Sequence, residues 1–586
     1  MRTFAQPDIE MERRDDGSVI LHSRVPLTEW EPSITAVVRK WASEHPDRPL
    51  AAQRDGEDQW VTLTYGEADR KADALAGAFR DLGLGPDKPL MILSGNSLAH
   101  LLVSLGGYAA GVPVMPISVA YSLMSADHAR IRAIAELTDP GLVFAEDAGA
   151  FAKALDALGL DQVLVARGDR EGALRLDDLL TSHSTLDGGP GPGADTVAKL
   201  LFTSGSTAAP KGVINTHRML CSDQAMLQAV WPFLAEEAPV LVDWLPWSHT
   251  FGGNHNLNLA LFNAGTIYID DGRPAPPLFP RTLAALRDVP PTLYFNVPAG
   301  YALLAPALEN DAALAERFFS RLRFMFYAAA ALPDALASRL RALASKHADH
   351  EVPLTSAWGT TETAPSATNM HYEGAPTGCI GVPNPGTSIK LAPVGDKLEI
   401  RVKGPTVTPG YFRQPELTAE TFDEEGYYRS GDAVKLLDSE DPNKGLLFDG
   451  RIAEDFKLLT GTWVAVGSLR TRLLSAAGVL NDAVICGHNA EYVAAVAWVN
   501  QAEARDLDSA ELRDRLARAL GRVNDGAGSA MRIERLLLLE TPPSLDAGEI
   551  TDKGYLNQRR CLECRASDVA RLYADPPAPD VITPAG

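Results

Sequence analysis

The residues best equipped for chemistry lie in one stretch, Leu200-Leu-Phe-Thr-Ser-Gly-Ser-Thr-Ala-Ala-Pro-Lys211-Gly212-Val213. An apolar run ends in hydroxyls and glycine, then Pro-Lys-Gly. Backbone N–H groups and hydroxyls that follow a strand can wrap a phosphate, and a lysine neutralises it. Thr203, Ser204, Gly205, Ser206, Thr207 and Lys211 are the candidates for that task. The order is not that of a Walker A loop, GxxxxGK[ST], because Gly212 follows the lysine instead of preceding it. Metal chemistry finds less support. His249 and His255 are six apart and lack the HExxH spacing of a zinc helix. Cys561 and Cys564 form a lone CxxC beside Arg559, Arg560 and Arg565, with no second pair to complete a zinc site, and are expected to be an inert pair on the last helix.

Positioning such a loop requires strands, and the sequence supplies them. Residues 90–125 carry no charge, which is long enough to span a bilayer. The stretch also contains Asn96, His100, four glycines and two prolines. It reads as strand 90–93, turn 94–97, helix 98–110, a stop at Gly111 and strand 112–116, a buried βαβ unit. Thr64-Tyr-Gly-Glu67 is a capping box that opens a helix with Ala72, Leu75, Phe79 and Leu82 on one face. Further apolar strands at 142–145, 163–166, 197–202, 240–244, 266–269 and 322–327 alternate with helices such as 280–288 and 334–347. The fold class is α/β, a large domain with mainly parallel sheets. After about residue 450 the texture changes to short strands at 483–486, 492–499 and 536–539 around a helix capped by Asp508 and Glu511, a small α+β domain. The boundaries read as an N-terminal extension over 1–29, a main domain over 30–452, a small domain over 453–574 and a disordered tail over 575–586.

Five further segments stand in order with the loop: Tyr327–Pro333 (YAAAALP), Trp358-Gly-Thr-Thr361-Glu362, Leu398–Tyr411 (LEIRVKGPTVTPGY), Tyr428-Arg-Ser-Gly-Asp432 with Gly450-Arg451, and Gly548-Glu-Ile-Thr-Asp-Lys553. Together they resemble the motifs of the adenylate-forming superfamily of acyl-CoA synthetases, peptide-synthetase adenylation domains and luciferases, over about residues 30–565. The resemblance implies ATP, Mg²⁺ and coenzyme A as ligands. A carboxylate would attack the α-phosphorus of ATP, pyrophosphate would leave, and a thiol would attack the mixed anhydride. Catalysis of the first step is mostly positioning and charge neutralisation.

The resemblance assigns roles residue by residue. Thr203, Ser204, Gly205, Ser206, Thr207 and Lys211 would hold the β- and γ-phosphates. Thr361 would donate to a phosphate oxygen, and Glu362 would hold Mg²⁺. Ala329 and Ala330 would lie along the adenine, with Trp358, Gly359 and Thr360 in the nucleotide site. Asp432 would accept hydrogen bonds from the ribose hydroxyls, with Arg451 beside it. Lys553 would reach the oxygen between the acyl carbonyl and the α-phosphate. His249 matches a position beside the acyl carboxylate. Trp247, Asn254, Tyr327 and Ala328 would line the acid pocket, where Gly252 and Gly253 and the small residues 328–331 leave room for a flat ring. Asn254 and Asn256 could hydrogen-bond ring oxygens or simply satisfy backbone.

Two positions depart from the family. Ala208 stands where the loop usually has Gly. The interdomain hinge, normally Asp or Lys, falls on Ala453, Glu454 or Asp455. Local context (SGSTAAPKGVINTHRML, PWSHTFGGNHN) is most similar to feruloyl-CoA synthetases, which implies a hydroxycinnamate such as ferulate as the acid. Rivals are an aliphatic acid, a separate carrier protein as thiol donor, or a degenerate nucleotide-binding protein.

Composition sets the outer limits. The chain has 586 residues, 46% of them apolar and 22% charged, which excludes a coiled coil or a mainly disordered protein. A net charge of −22 is poorly suited to non-specific nucleic-acid binding, so anionic ligands need a local basic or amide-lined site. Five scattered cysteines and no hydrophobic signal core near Met1 lead us to expect a cytoplasmic protein that binds neither nucleic acid nor membrane; a homodimer is compatible with the composition.

Overall fold

Residues 90–125 fold as the anticipated strand–helix–strand unit in the computed structural model, which describes residues 3–183, 191–203, 210–275, 277–501, 503–551 and 554–585. Strand Leu90–Leu93 is buried throughout. The Ser97 hydroxyl accepts the His100 N–H and opens helix Leu98–Ala110, and Gly111, at φ 71°, ends it. Strand Val114–Ile117 then lies parallel to the first. Gly106 and Gly107 press against Leu75 and Val114, where an added Cβ would come within 2.5 Å. This lets the helix lie flush between helix Tyr65–Asp81 and the sheet. Thr64 and Glu67 form the expected capping box on that second helix. No helix among the described residues is long and apolar enough to cross a membrane.

Three sheets build the large domain. A seven-stranded sheet runs in the order Lys211–Thr216, Val197–Thr203, Val114–Ile117, Leu90–Leu93, Leu142–Asp147, Val163–Arg167, Leu174–Arg175, parallel except for its first pair. A four-stranded sheet holds Val240–Asp243, Thr266–Ile269, Pro49–Arg54 and Trp60–Thr64. An eleven-stranded sheet is parallel across Leu293–Asn296, Phe324–Tyr327 and Leu354–Gly359 and antiparallel beyond. One apolar core joins all three, from Leu90 and Leu241 to Phe324 and Phe326.

The first 29 residues are not a separate extension. Phe4 enters the main core, and hairpin Ile9–Arg13 with Val19–Ser23 adds two strands beside Ser388–Val394. The mixed charge of this stretch hid a strand pattern, because Glu10, Glu12 and Arg13 lie on an edge strand open to water.

The small domain has strands Leu480–Cys486, Val493–Val499 and Ile533–Leu538, the last two parallel. Alternate strand residues serve two cores. Ala483, Ile485, Ala495 and Ala497 meet helices Val466–Ala477 and Ser509–Asn524 on one face. Val484, Cys486, Ala494 and Val496 meet Leu556, Cys561 and Leu572 on the other. Cys561 is buried and Cys564 exposed, on helix Gln558–Cys564. The pair is therefore not on the last helix, since Ala566–Leu572 follows.

The tail is packed, contrary to the expectation of disorder. Ile582 exchanges both backbone hydrogen bonds with Leu536, at 2.8 and 2.9 Å, and Val581 and Ile582 are buried. Proline blocks helix but leaves an extended segment free to pair, and two adjacent apolar residues suffice to anchor it. Ile582→Ala should therefore destabilise the small domain by about 2–5 kcal/mol, read as a lowered urea midpoint; an unchanged midpoint would mean the tail contributes nothing to that core.

Candidate active site

The two strands that flank the hydroxyl-rich loop pair antiparallel, as the arms of a hairpin. Strand Val197–Thr203 ends at Thr203, which lies directly opposite Lys211, the first residue of strand Lys211–Thr216. Ser204, Gly205, Ser206 and Thr207, together with Ala208, lie outside the described residues. The second strand carries another segment on its free edge. Gly212 accepts the Phe412 N–H at 2.8 Å, and Gly410 accepts the Ile214 N–H at 3.1 Å. This pairing fixes Tyr411. Lys211 Nζ lies 5.8 Å from the centre of the Tyr411 ring, and the Tyr411 hydroxyl donates to Glu362 Oε1 at 2.9 Å. Burial, and then the Glu362 charge, push the Tyr411 phenol well above its ordinary pKa, so it stays a neutral donor. Tyr411 was legible only as the last letter of the segment 398–411; nothing in its spacing announced the link to Glu362.

Strand Leu354–Gly359 delivers Trp358, Gly359 and Thr360 to a tight turn, Thr361–Thr363. Gly359 admits no side chain, because a Cβ there would sit 1.7 Å from the Pro365 carbonyl oxygen. The Thr360 N–H bonds Thr363 Oγ1 at 2.9 Å, and the Glu362 carbonyl accepts the Thr408 N–H at 2.8 Å. Thr361 and Glu362 are thus nearly buried and held from both sides.

Asp432 faces Arg451 across an antiparallel pair of strands. The Trp358 indole N–H donates to Asp432 Oδ2 at 3.0 Å, while Arg451 Nε is 3.5 Å from Oδ1. The Arg451 side chain is 67% exposed and Asp432 only 12%, so water screens the arginine and the indole is the firmer partner. Burial raises the Asp432 pKa; Arg451 and the indole pull it back, and Glu362 and Glu399 add to the rise. The resemblance placed Trp358 near the nucleotide but did not reveal that it holds Asp432.

Residues 328–331 follow strand Phe324–Tyr327. Tyr327 is buried, Ala328 half-buried, and Ala329 and Ala330 are exposed. Ala329 has φ 74°, a left-handed conformation that costs a residue with a Cβ about 1–2 kcal/mol.

The His249 segment departs from expectation. Its backbone N–H bonds Pro246 O at 3.0 Å, its carbonyl accepts Gly253 N–H at 2.8 Å, and its Nδ1 accepts Phe251 N–H at 3.3 Å. An acceptor Nδ1 leaves Nε2 as the protonated nitrogen of the neutral ring. A wide helical turn, Phe251–Asn256, follows and is wholly buried. Gly252 and Gly253 do not open room for a ring. A Cβ at either would lie 2.3 Å from the carbonyl oxygen of Leu245 or Trp247, so the glycines let two backbones touch. Nor is Asn254 a pocket residue: fully buried, it donates to Asn215 Oδ1 at 2.7 Å and Thr250 Oγ1 at 3.2 Å and accepts from Lys199 Nζ at 3.0 Å. Asn256 is likewise buried, between Asp243 and His255. Trp247 is 2% exposed, set edge-on to His100, and its N–H bonds Asn96 Oδ1.

Among the described residues, no group of three or more His, Cys, Asp or Glu forms a metal site. Mg²⁺ asks for less, one or two carboxylates beside phosphate oxygens and water, and the single Glu362 fits that demand. Lys553 lies outside the described residues. The segment before it rests on the large domain, with Asp546 Oδ2 accepting the Ala126 N–H at 3.0 Å. Of the three hinge candidates, Asp455 is tied on both sides, by an ion pair to Lys397 and by the Val466 N–H at 3.0 Å.

Two family models match the chain: AMP-binding enzyme over residues 38–412 and AMP-binding enzyme C-terminal domain over residues 456–576. Sulfoacetate–CoA ligase of Cupriavidus necator is 29% identical over 84% of this chain and 92% of its own length. Feruloyl-CoA synthase of an Amycolatopsis species is 28% identical over 64% of this chain and 72% of its own. The adenylation domain of a Mycobacterium chelonae carboxylate reductase shares the fold, with a TM-score of 0.72 at 22% identity, covering 94% of this chain and 92% of that one. With its hairpin, Thr-Glu turn and Trp-held aspartate in this fold, the chain belongs to the AMP-binding enzyme family, as an AMP-forming acid–thiol ligase of the acyl-CoA ligase kind that activates carboxylic acids as adenylates.

Proposed function

We propose that the acid is aromatic, a hydroxycinnamate such as ferulate, and that coenzyme A takes the acyl group. The observation that carries this reading is the likeness to feruloyl-CoA synthases, 28% identical over 391 residues. The 29% likeness to sulfoacetate–CoA ligase favours a second reading, a small acid carrying an extra anionic group.

In the proposed reaction the hairpin from Thr203 to Lys211 holds the β- and γ-phosphates of ATP. Thr361 donates to a phosphate oxygen, and Asp432 accepts from the ribose hydroxyls with Arg451 at its open side. Glu362 would hold Mg²⁺, which when bound adds positive charge beside the phosphates. Tyr411 orients Glu362 through its hydroxyl, an arrangement supported by the 2.9 Å contact. His249 steers the acyl carboxylate toward the α-phosphorus. Lys553 stabilises charge on the oxygen between acyl carbonyl and phosphorus, in adenylation only. The carboxylate oxygen then bonds to phosphorus, pyrophosphate departs, and thiol attack expels AMP.

Exchange of labelled pyrophosphate into ATP, run with ferulate, other aryl acids, sulfoacetate, malonate and aliphatic acids, tests the substrate. Ferulate should support the highest kcat/KM; preference for sulfoacetate would install the second reading. Lys553→Ala should lose exchange by about 100-fold or more, on the scale of a deleted oxyanion donor, yet still form thioester from supplied acyl-adenylate; equal loss in both half-reactions would remove Lys553 from the first. Asp432→Ala should raise KM for ATP far more than KM for the acid, and an unchanged ATP dependence would take Asp432 out of the ribose site.

A further inference from the structure

Lys199 lies on strand Val197–Thr203, four residues before Thr203, and is 3% exposed. No carboxylate lies within ion-pair distance of it among the described residues. Its ammonium donates instead to the Gly253 carbonyl and to Asn254 Oδ1, both at 3.0 Å. Burial without a counter-charge pulls its pKa down to about 7. A buried cation with only neutral partners is expensive, so a fold gains nothing from it as packing.

What the lysine joins suggests its use. Gly253 and Asn254 belong to the wide turn Phe251–Asn256, and Gly253 N–H bonds the His249 carbonyl at 2.8 Å. Asn254 passes the connection on to Thr250, beside His249, and to Asn215 on strand Lys211–Thr216. Lys199 and Asn215 are themselves register partners. Lys199 thus ties the turn that follows His249 to one strand of the hairpin that carries Thr203 and Lys211, and Asn254 ties it to the other. Thr203 is on the same face of its strand as Lys199, since the two are an even number of residues apart.

We propose that Lys199 is a positioning residue for adenylation: its bonds to Gly253 and Asn254 fix the His249 turn relative to the phosphate hairpin, and so set the approach of the acid carboxylate to the α-phosphorus. The inference rests on the reading of His249 and the hairpin given above. It requires no contact between Lys199 and any ligand. A carboxylate and a phosphorus held apart from attack geometry by an ångström react about 100-fold more slowly even when both are bound.

The test compares the whole enzyme with Lys199→Met, Lys199→Arg, Asn254→Leu and the Lys199→Met/Asn254→Leu double variant. Lys199→Met keeps length, drops the charge and should leave the unfolding midpoint at or above that of the wild type. It should nonetheless cut kcat for pyrophosphate exchange by about 10–100-fold and raise KM for the acid, with KM for ATP within about twofold and thioester formation from supplied acyl-adenylate unchanged. Lys199→Arg, retaining a donor, should recover part of the loss. Asn254→Leu should reproduce the deficit, and the double variant should be no worse than either single one. A wild-type rate in Lys199→Met, a loss shared equally between ATP and acid, or additive single losses would overturn the proposal. An arm independent of turnover reads the His249 ring directly: in ¹⁵N-histidine protein, with His249→Gln as the assignment control, Lys199→Met should move the His249 Nδ1 resonance, and an unmoved resonance would overturn the proposal as well. A wild-type enzyme silent toward every acid would instead strike the proposed function, and the resonance would still decide the role of Lys199.

Discussion

The site depends on backbone pairing along strand Lys211–Thr216. One edge is bonded to Val197–Thr203, and the other bonds residues 410–412. Thr408 tightens the second edge: its hydroxyl donates to Ile214 O at 2.7 Å and accepts the Gly410 N–H at 3.1 Å, and its N–H donates to Glu362 O at 2.8 Å. Through this strand, residues 203, 211, 362 and 411 come together although up to about two hundred positions separate them in the chain. Main-chain hydrogen bonds in a buried sheet are obligatory, so the arrangement persists whether or not a ligand is present. The side chains facing the ligand are therefore not needed to hold the site together.

The same economy explains the glycines. A glycine in a motif invites the reading of space kept open for a substrate. At Gly252, Gly253 and Gly359 the space is already filled by carbonyl oxygens of Leu245, Trp247 and Pro365. These glycines buy proximity of one backbone to another, and with it a fixed direction for His249 and for Thr361 and Glu362. Ala329 shows the reverse case, a Cβ accepted at φ 74° in an exposed loop where nothing crowds it.

Much of this was legible in the sequence wherever local rules suffice. Capping at Thr64, the stop at Gly111 and the continuous apolar strands, including the one that runs into the loop before Lys211, all follow from neighbours within a few residues. The opening hairpin and the tail escaped because their partners, Ser388–Val394 and Leu536, are remote, and because surface charge and proline counts describe exposure rather than pairing. Asn254 was misread for a related reason. An asparagine near an acid pocket and one that satisfies a buried lysine look alike until Lys199, 55 residues away, is seen beside it. Tyr411 and Trp358 each hold a carboxylate from a remote segment of the chain, a relation that no spacing encodes.

Those two neutral donors also answer the electrostatic problem set by composition. A body with a net charge of −22 repels the anions that this family binds, so each local positive charge must stay available. A direct ion pair between Lys211 and Glu362 would spend both charges on each other. The Tyr411 ring instead stands between them, meeting the lysine over its face and the carboxylate through its hydroxyl. Trp358 does the same service for Asp432, leaving Arg451 largely in water. Because burial keeps the phenol from ionising, Tyr411 adds no negative charge of its own. The carboxylates are oriented without being neutralised and the cations are placed without being consumed, which is the condition for gripping a triphosphate inside an acidic protein.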